Sequence, residues 1–338
     1  MRHAIDRRLL IGGTLATPLP WRAARAATPI RVGFIPVLGS APLFVVNGAG
    51  WAKDAGIALS LTQFESGPNA IQAIASGTLD AYVAGFAPVA VLRSRGFDLR
   101  IVAATAVDEF AVLARGPLAA AFAGGRVAKH AFEAFVAAEK RPAKLATQPA
   151  GSVPNTLLQY WLRETAKADP ARYEIVPMGI DATQQALLAK AVDGAIVREP
   201  ALTIVRDRDP AIALAAAGND LFPNQPGGVL ALTGAFIQRE PDAATALVRL
   251  FARASKLLTE TPDLAVPHIS AALGKGIVPD ATIGRALRSP ASKFVTDPRA
   301  IAESTRALLD YQVVLGATKE SPPLDGLFDA SLFLKAAG

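Results

Sequence analysis

From Ile30 onward, short apolar runs alternate with longer stretches of helical period. Ile30–Ile35 is strand-like. Pro42–Ala55 repeats its apolar residues at helical spacing and is stopped by Gly56, whereas Ile57–Phe64 alternates apolar and polar positions like a half-buried strand. Helices open at Pro68 and Pro88, each with proline in the first turn, where a missing N–H costs nothing. Strand-like runs at Ala81–Val83 and Arg100–Ala104 lie between and after them. This rhythm predicts an α/β fold with a mostly parallel sheet and helices on both faces.

The same programme then restarts. Pro36, Gly39, Ser40 and Pro42 are matched by Pro149, Gly151, Ser152 and Pro154, an offset of 112 or 113. Gln72-Ala73-Ile74 returns as Gln185-Ala186-Leu187, Leu79-Asp80-Ala81 as Val192-Asp193-Gly194, and Pro88 as Pro200. Two similar lobes are the reading adopted; shared βα grammar alone is the alternative. From Pro241 the chain reads as helices at Asp242–Leu258, Pro267–Leu273, Thr282–Leu287 and Arg299–Leu315, expected to return and buttress the first lobe. Connections are expected near Phe110–Arg115 and Gly228–Phe236. That divides the chain into a first lobe, 27–113 plus 236–338, and a second lobe, 114–235.

Composition narrows the chemistry. The chain has 338 residues, enough for about two domains with sizeable cores. It has no cysteine, so disulfides, thiol nucleophiles and cysteine-held metals are excluded. Its three histidines, His3, His130 and His268, have no carboxylate partner at a telling spacing, and no metal or cofactor is expected. Walker A, G-x-G-x-x-G, G-x-S-x-G and H-E-x-x-H motifs are absent.

The formal charge of +6 comes mostly from the first 26 residues, which hold five of the 35 basic and one of the 29 acidic side chains. They read as an export signal: Arg2, Arg7 and Arg8, a weakly apolar Leu9–Leu19, then Ala24-Arg25-Ala26 as a small-residue cleavage site. Arg7-Arg8 followed by Leu10-Ile11 is similar to a twin-arginine signal. The remainder, near neutral, has no basic run to suggest nucleic acid and no apolar run long enough to span a bilayer. A soluble periplasmic monomer is expected.

In open α/β sheets, ligands bind beyond the carboxyl ends of the strands, where loops run into helix N-termini whose free N–H groups suit an anion. Small polar residues stand at these junctions: Ser40, Ser66-Gly67, Gly85-Phe86 and Ser152. Each serine taken alone reads equally as an ordinary N-cap. Asn155 lies in the first turn after Pro154. Glu199, before Pro200, either complements its helix dipole or accepts a hydrogen bond from a ligand amine. Asp80 and Asp193 fit turn-fixing roles, Asp181 an N-cap, and Trp51 and Trp161 core positions.

These residues carry a family likeness. Val32-Gly33-Phe34-Ile35-Pro36, Ala41-Pro42-Leu43-Phe44, Ser66-Gly67-Pro68 and Ala75-Ser76-Gly77 with Leu79-Asp80 belong to it. So do Gly85 with Ala87-Pro88, Tyr160-Trp161-Leu162, and Asp193 with Glu199-Pro200. Over about residues 30–260 the chain resembles periplasmic substrate-binding proteins of ABC importers, in the branch that takes aliphatic sulfonates, taurine, nitrate and thiamine-precursor pyrimidines. The resemblance implies a type II periplasmic binding protein fold, with two similar lobes of mixed sheets around a ligand cleft and a helical C-terminal extension. It further implies a small-molecule ligand held by Ser40, Ser66, Gly67, Gly85, Phe86, Ser152 and Glu199, to which position alone adds Asn155 across the cleft, with hinge closure and docking on the permease's transmembrane subunits. Arg198 stands where an aromatic residue often precedes the Glu-Pro pair. The rival readings are an enzyme of the same fold, with Glu199 or Asp181 as base and Ser40 or Ser152 as orienting groups, and a sensory ligand-binding protein.

Overall fold

The computed structural model describes residues 27–125, 127–274 and 276–337, and the expected export signal lies outside them. In chain order the first lobe lays down β1 (Thr28–Phe34), α1 (Ala41–Gly48), α2 (Trp51–Asp54) and β2 (Ile57–Gln63). It continues with α3 (Gly67–Ala75), β3 (Ala81–Gly85), α4 (Ala87–Ser94) and β4 (Leu99–Ala104). The helix expected over Pro42–Ala55 is broken in two, because Gly50 takes a left-handed φ of 74° between α1 and α2. After the short β5 (Ala106–Val107), the second lobe runs β6 (Phe110–Ala114), α5 (Gly116–Phe122), α6 (Ala128–Glu139) and β7 (Ala143–Thr147). There follow α7 (Val153–Tyr160), β8 (Tyr173–Pro177), α8 (Ile180–Leu188), β9 (Gly194–Arg198), α9 (Ala201–Arg208) and β10 (Ala213–Ala217).

The chain then returns through β11 (Gly228–Thr233) and α10 (Gly234–Arg239) to α11 (Pro241–Glu260), α12 (Val266–Ala272) and α13 (Asp280–Leu287). It ends with β12 (Lys293–Phe294), α14 (Ala302–Val314) and α15 (Ala330–Ala337), the last not foreseen from sequence. Among the described residues, no helix is long and apolar enough to cross a membrane.

The two main sheets have one plan. Their strand orders are β2-β1-β3-β11-β4 and β8-β7-β9-β6-β10, and in each the fourth strand alone runs antiparallel. Each antiparallel strand is delivered by a crossing: β6 joins the second sheet and β11 the first. The crossings therefore lie at 105–109 and 218–227, outside the expected segments, and the lobe boundaries at 113/114 and 235/236 shift accordingly. Phe110–Ala114 and Gly228–Thr233 are apolar because they are interior strands, buried throughout except at Thr233.

The 113-residue echo is exact at the turns. The carboxylate of Asp80 accepts from Arg31 N (3.1 Å), and that of Asp193 from Lys144 N (2.8 Å). Each also takes an arginine fork, Arg31 on Asp80 and Arg141 on Asp193. Burial by itself would raise both carboxyls, but the arginine hydrogen bonds, the backbone N–H and nearby positive charge outweigh it and hold both below the ordinary aspartate range. The turn-fixing role expected of the two aspartates is what these contacts do.

The C-terminal helices buttress the first lobe, as expected, and serve the second as well. α11 is amphipathic and buries Leu247, Val248, Phe251 and Leu258 against Phe44, Val46 and Leu232 of the first lobe. α13, which also shares that core through Ile283 and Ala286, and α14 reach the second lobe. Arg285 pairs with Asp207, Gln312 Nε2 donates to Thr156 Oγ1 at 3.0 Å, and Tyr311 donates to Glu164 at 3.2 Å.

Candidate functional site

The carboxyl ends of β1, β3, β7 and β9 and the helix N-termini that follow them meet at the seam between the lobes. Leu38 N of the first lobe donates to the carbonyl of Glu199 in the second at 2.9 Å. Gly85 lies so near Val153 that a Cβ on it would come within 2.8 Å of a Val153 methyl, and one on Gly179 would be 3.2 Å from the Glu65 carboxylate. The lobes are closed on each other.

The residues expected to hold ligand take different local roles around these strand ends. Ser66 and Ser152 accept from Asn69 N and Asn155 N, both at 3.4 Å, so each is an N-cap, of α3 and α7 respectively. Ser40 does not cap; its buried hydroxyl donates to Val83 O at 3.3 Å, tying the loop to β3. Gly67 is needed as glycine, since a Cβ would sit 2.8 Å from both Tyr82 Oη and Pro88 Cγ. Phe86 is core, wholly buried at the start of α4. Asn155 donates to Gln148 O (3.1 Å) and accepts from Gln159 (2.8 Å), so its amide braces the loop before α7.

Glu199 differs from expectation. Its carboxylate turns back to its own helix, accepting from Thr203 N (3.0 Å) and Thr203 Oγ1 (2.9 Å), and borders a surface hollow with Arg206, Arg285 and Ser289. Its carbonyl meets the first lobe's Leu38, and its carboxylate faces Ser289 of the returning C-terminal segment. Burial raises its pKa, with Ser289, Thr203 and Arg206 opposing. Asp181 sits in the first turn of α8, whose N-cap is Gly179. His130 is exposed on α6, and His268 packs against Gly48. Trp161 is core as expected, while Trp51 is half-buried beneath Arg253.

The strongest polar feature of the seam is a pair that the sequence reading missed. Glu109, at the end of the first crossing, and Arg198, at the end of β9, form an ion pair at 3.0 Å, each side chain only 3% exposed. The Arg198 guanidinium lies 4.9 Å from the Phe110 ring centroid. Glu109 Oε2, Arg198 Nε, and the hydroxyls of Thr105 and Thr147 are buried without a hydrogen-bond partner. A Cβ on Gly39 would collide with Glu109 Oε2, so the first lobe's loop packs directly on this carboxylate. From the same side Tyr82 donates to Gly85 O at 2.9 Å; burial pushes its phenol up, with the Arg198 charge lowering it and that of Glu109 raising it. Beside Arg198, among Phe110, Gln148, Ile180 and Thr183, a hollow of about 10 Å³ remains, room for roughly one water. A seam this tight replaces the guest-sized gap expected from sequence. The available signal was an arginine ending an otherwise apolar strand, Gly194–Arg198.

A sequence model of the NMT1-like family matches residues 23–269. The nitrate import ATP-binding protein NrtC of Synechococcus elongatus is 27% identical over 248 residues, 70% of this chain, and the chain spans about a third (36%) of that protein's length. The periplasmic nitrate-binding protein NrtA of Synechocystis superposes with a TM-score of 0.76 at 17% identity, covering 92% of this chain and 88% of that one. The alkanesulfonate-binding protein SsuA of Xanthomonas axonopodis, bound to MOPS, gives 0.69 at 17% identity over 89% and 98%. The fold is that of the periplasmic binding proteins.

Proposed function

The chain belongs to the NMT1-like family, and from that premise we propose that it is a periplasmic solute-binding protein. It captures a small anionic or zwitterionic organic solute between its lobes and presents the closed face to the membrane subunits of an ABC importer. One observation carries the reading. Two sheets of the same strand order, joined by two crossings, bring their strand carboxyl ends together at a seam whose buried polar atoms are not all partnered. Such orphans favour a guest that supplies the missing bonds, and two crossings permit the lobes to part and close about it. The loops of Ser40, Ser66-Gly67, Gly85-Phe86, Ser152-Asn155 and Glu199 frame the guest. Of the groups an enzyme of this fold would use, Ser40 is bonded to Val83 O and Glu199 to Thr203, which sets that reading behind this one.

The test is native mass spectrometry of the chain isolated under mild conditions from periplasm, followed by release and identification of what it carries. One small solute per chain, returned to the stripped protein with saturable binding and a smaller radius of gyration in solution scattering, is expected. Chemical conversion of that solute by the protein would favour the enzyme instead.

A further inference from the structure

Resting on this solute-binding reading, we infer that Glu109 and Arg198 together set the charge class of the guest, and that it is a zwitterion rather than a bare anion. Among the described residues Arg198 is the only buried cation, and it stands at the seam where an anionic group would seek it. Its charge is already balanced by Glu109 at 3.0 Å. A monoanion placed against Arg198 would therefore face a carboxylate in a dry site, where like charges are poorly screened. The pair also leaves one donor, Arg198 Nε, and one acceptor, Glu109 Oε2, without partners. A bare anion satisfies the first and leaves the second orphaned. A solute with an anionic end and an ammonium a few bonds away answers both, and the free hydroxyls of Thr105 and Thr147 add further contacts.

The surroundings hold the pair in this role. Phe110 backs the guanidinium, Gly39 packs on the carboxylate, and Tyr82, kept neutral by burial, brings no charge from the first lobe. Glu109 lies on the crossing and Arg198 on the second lobe, so a zwitterion bridging both would also fix the angle between the lobes.

Matched solutes test this on the full mature chain by calorimetry and thermal shift: taurine against ethanesulfonate, β-alanine against propionate, and nitrate as the smallest anion. The wild type is expected to bind the zwitterion of at least one pair tenfold or more tighter than its deaminated partner, and nitrate not at all. Glu109→Gln, which keeps shape and removes charge, is expected to erase that preference and gain at least tenfold for the monoanion. Tighter or equal binding of a monoanion by the wild type overturns the inference, as does an unchanged preference in a folded Glu109→Gln protein. Should Glu109→Gln not fold, the wild-type ratio decides. If no pair binds, the charge of the solute carried from periplasm decides: a monoanion overturns the inference and leaves the binding reading standing, whereas no solute at all removes both.

Discussion

The two lobes agree in their scaffold and part company at the seam. Strand order, the antiparallel fourth strand and the aspartate that ties the turn before the third strand recur, with Arg31–Asp80 and Lys144–Asp193 related by the same 113 residues. At the strand ends the copies diverge. β1 ends in Phe34 and β7 in Thr147; β3 ends in Gly85-Phe86, where β9 ends in Arg198-Glu199; Ser66 caps α3, where Gly179 precedes α8. At these strand ends the first lobe thus contributes small and apolar residues and the second a buried cation, while the first lobe's seam charge, Glu65, stands on the loop before α3, beside Gly179. The repeated part of the molecule is what any βα unit needs, and the unrepeated part is where selectivity would reside.

The sharpest way to break this asymmetry is to remove its charge. Arg198→Ala leaves Glu109 buried and unpaired, and is expected to lower unfolding stability by about 3–5 kcal/mol, read from denaturant midpoints. No counterpart exists at Gly85, so the loss is specific to the second lobe. A loss under about 1 kcal/mol would mean that the carboxylate is hydrated and that the lobes stand open in solution.

The next test addresses what the lobes share. Asp80→Ala and Asp193→Ala each remove the carboxylate that accepts from an arginine fork and a backbone N–H, and each is expected to cost about 2 kcal/mol at pH 7. Both folded-state pKa values are depressed. The stabilisation is therefore complete above the ordinary aspartate range, near pH 4, and is lost as pH falls through the lower folded values. Urea midpoints for wild type and variants should converge as pH drops below about 4. Unequal losses at neutral pH would show that the echo is one of backbone shape only.

The scaffold was legible because its signals are local. Proline in a first turn, glycine after a helix and aspartate before a strand keep their spacing whatever surrounds them, so the 113-residue echo stands in the linear chain. Sheet membership was not. Phe110–Ala114 reads as a strand, but only long-range pairing assigns it to β9 rather than β3. That same pairing aligns Phe110 with Arg198 and so delivers Glu109 to its partner 89 residues away. Glu199 was legible as a residue near the seam but not in its orientation, because Thr203, one turn on, competes for its carboxylate.

The smallest effect concerns the two serines that look alike. Ser66 and Ser152 each accept from the backbone N–H three residues on at 3.4 Å, a long bond, so Ser→Ala at either is expected to cost only about 0.5 kcal/mol. Stability should not distinguish them, but solute affinity should. Ser152 begins α7, whose Val153 touches Gly85 across the seam, and it lies on the lobe that carries Arg198. Ser66 begins α3 on the lobe without a buried cation, next to the carboxylate of Glu65. With the solute recovered from periplasm as probe, Ser152→Ala is expected to weaken binding more than Ser66→Ala, by about threefold or more, while thermal midpoints of the two agree within a degree or two. Equal affinities would mean that the guest is read symmetrically by both lobes, and the contrast between them would then be one of packing rather than recognition.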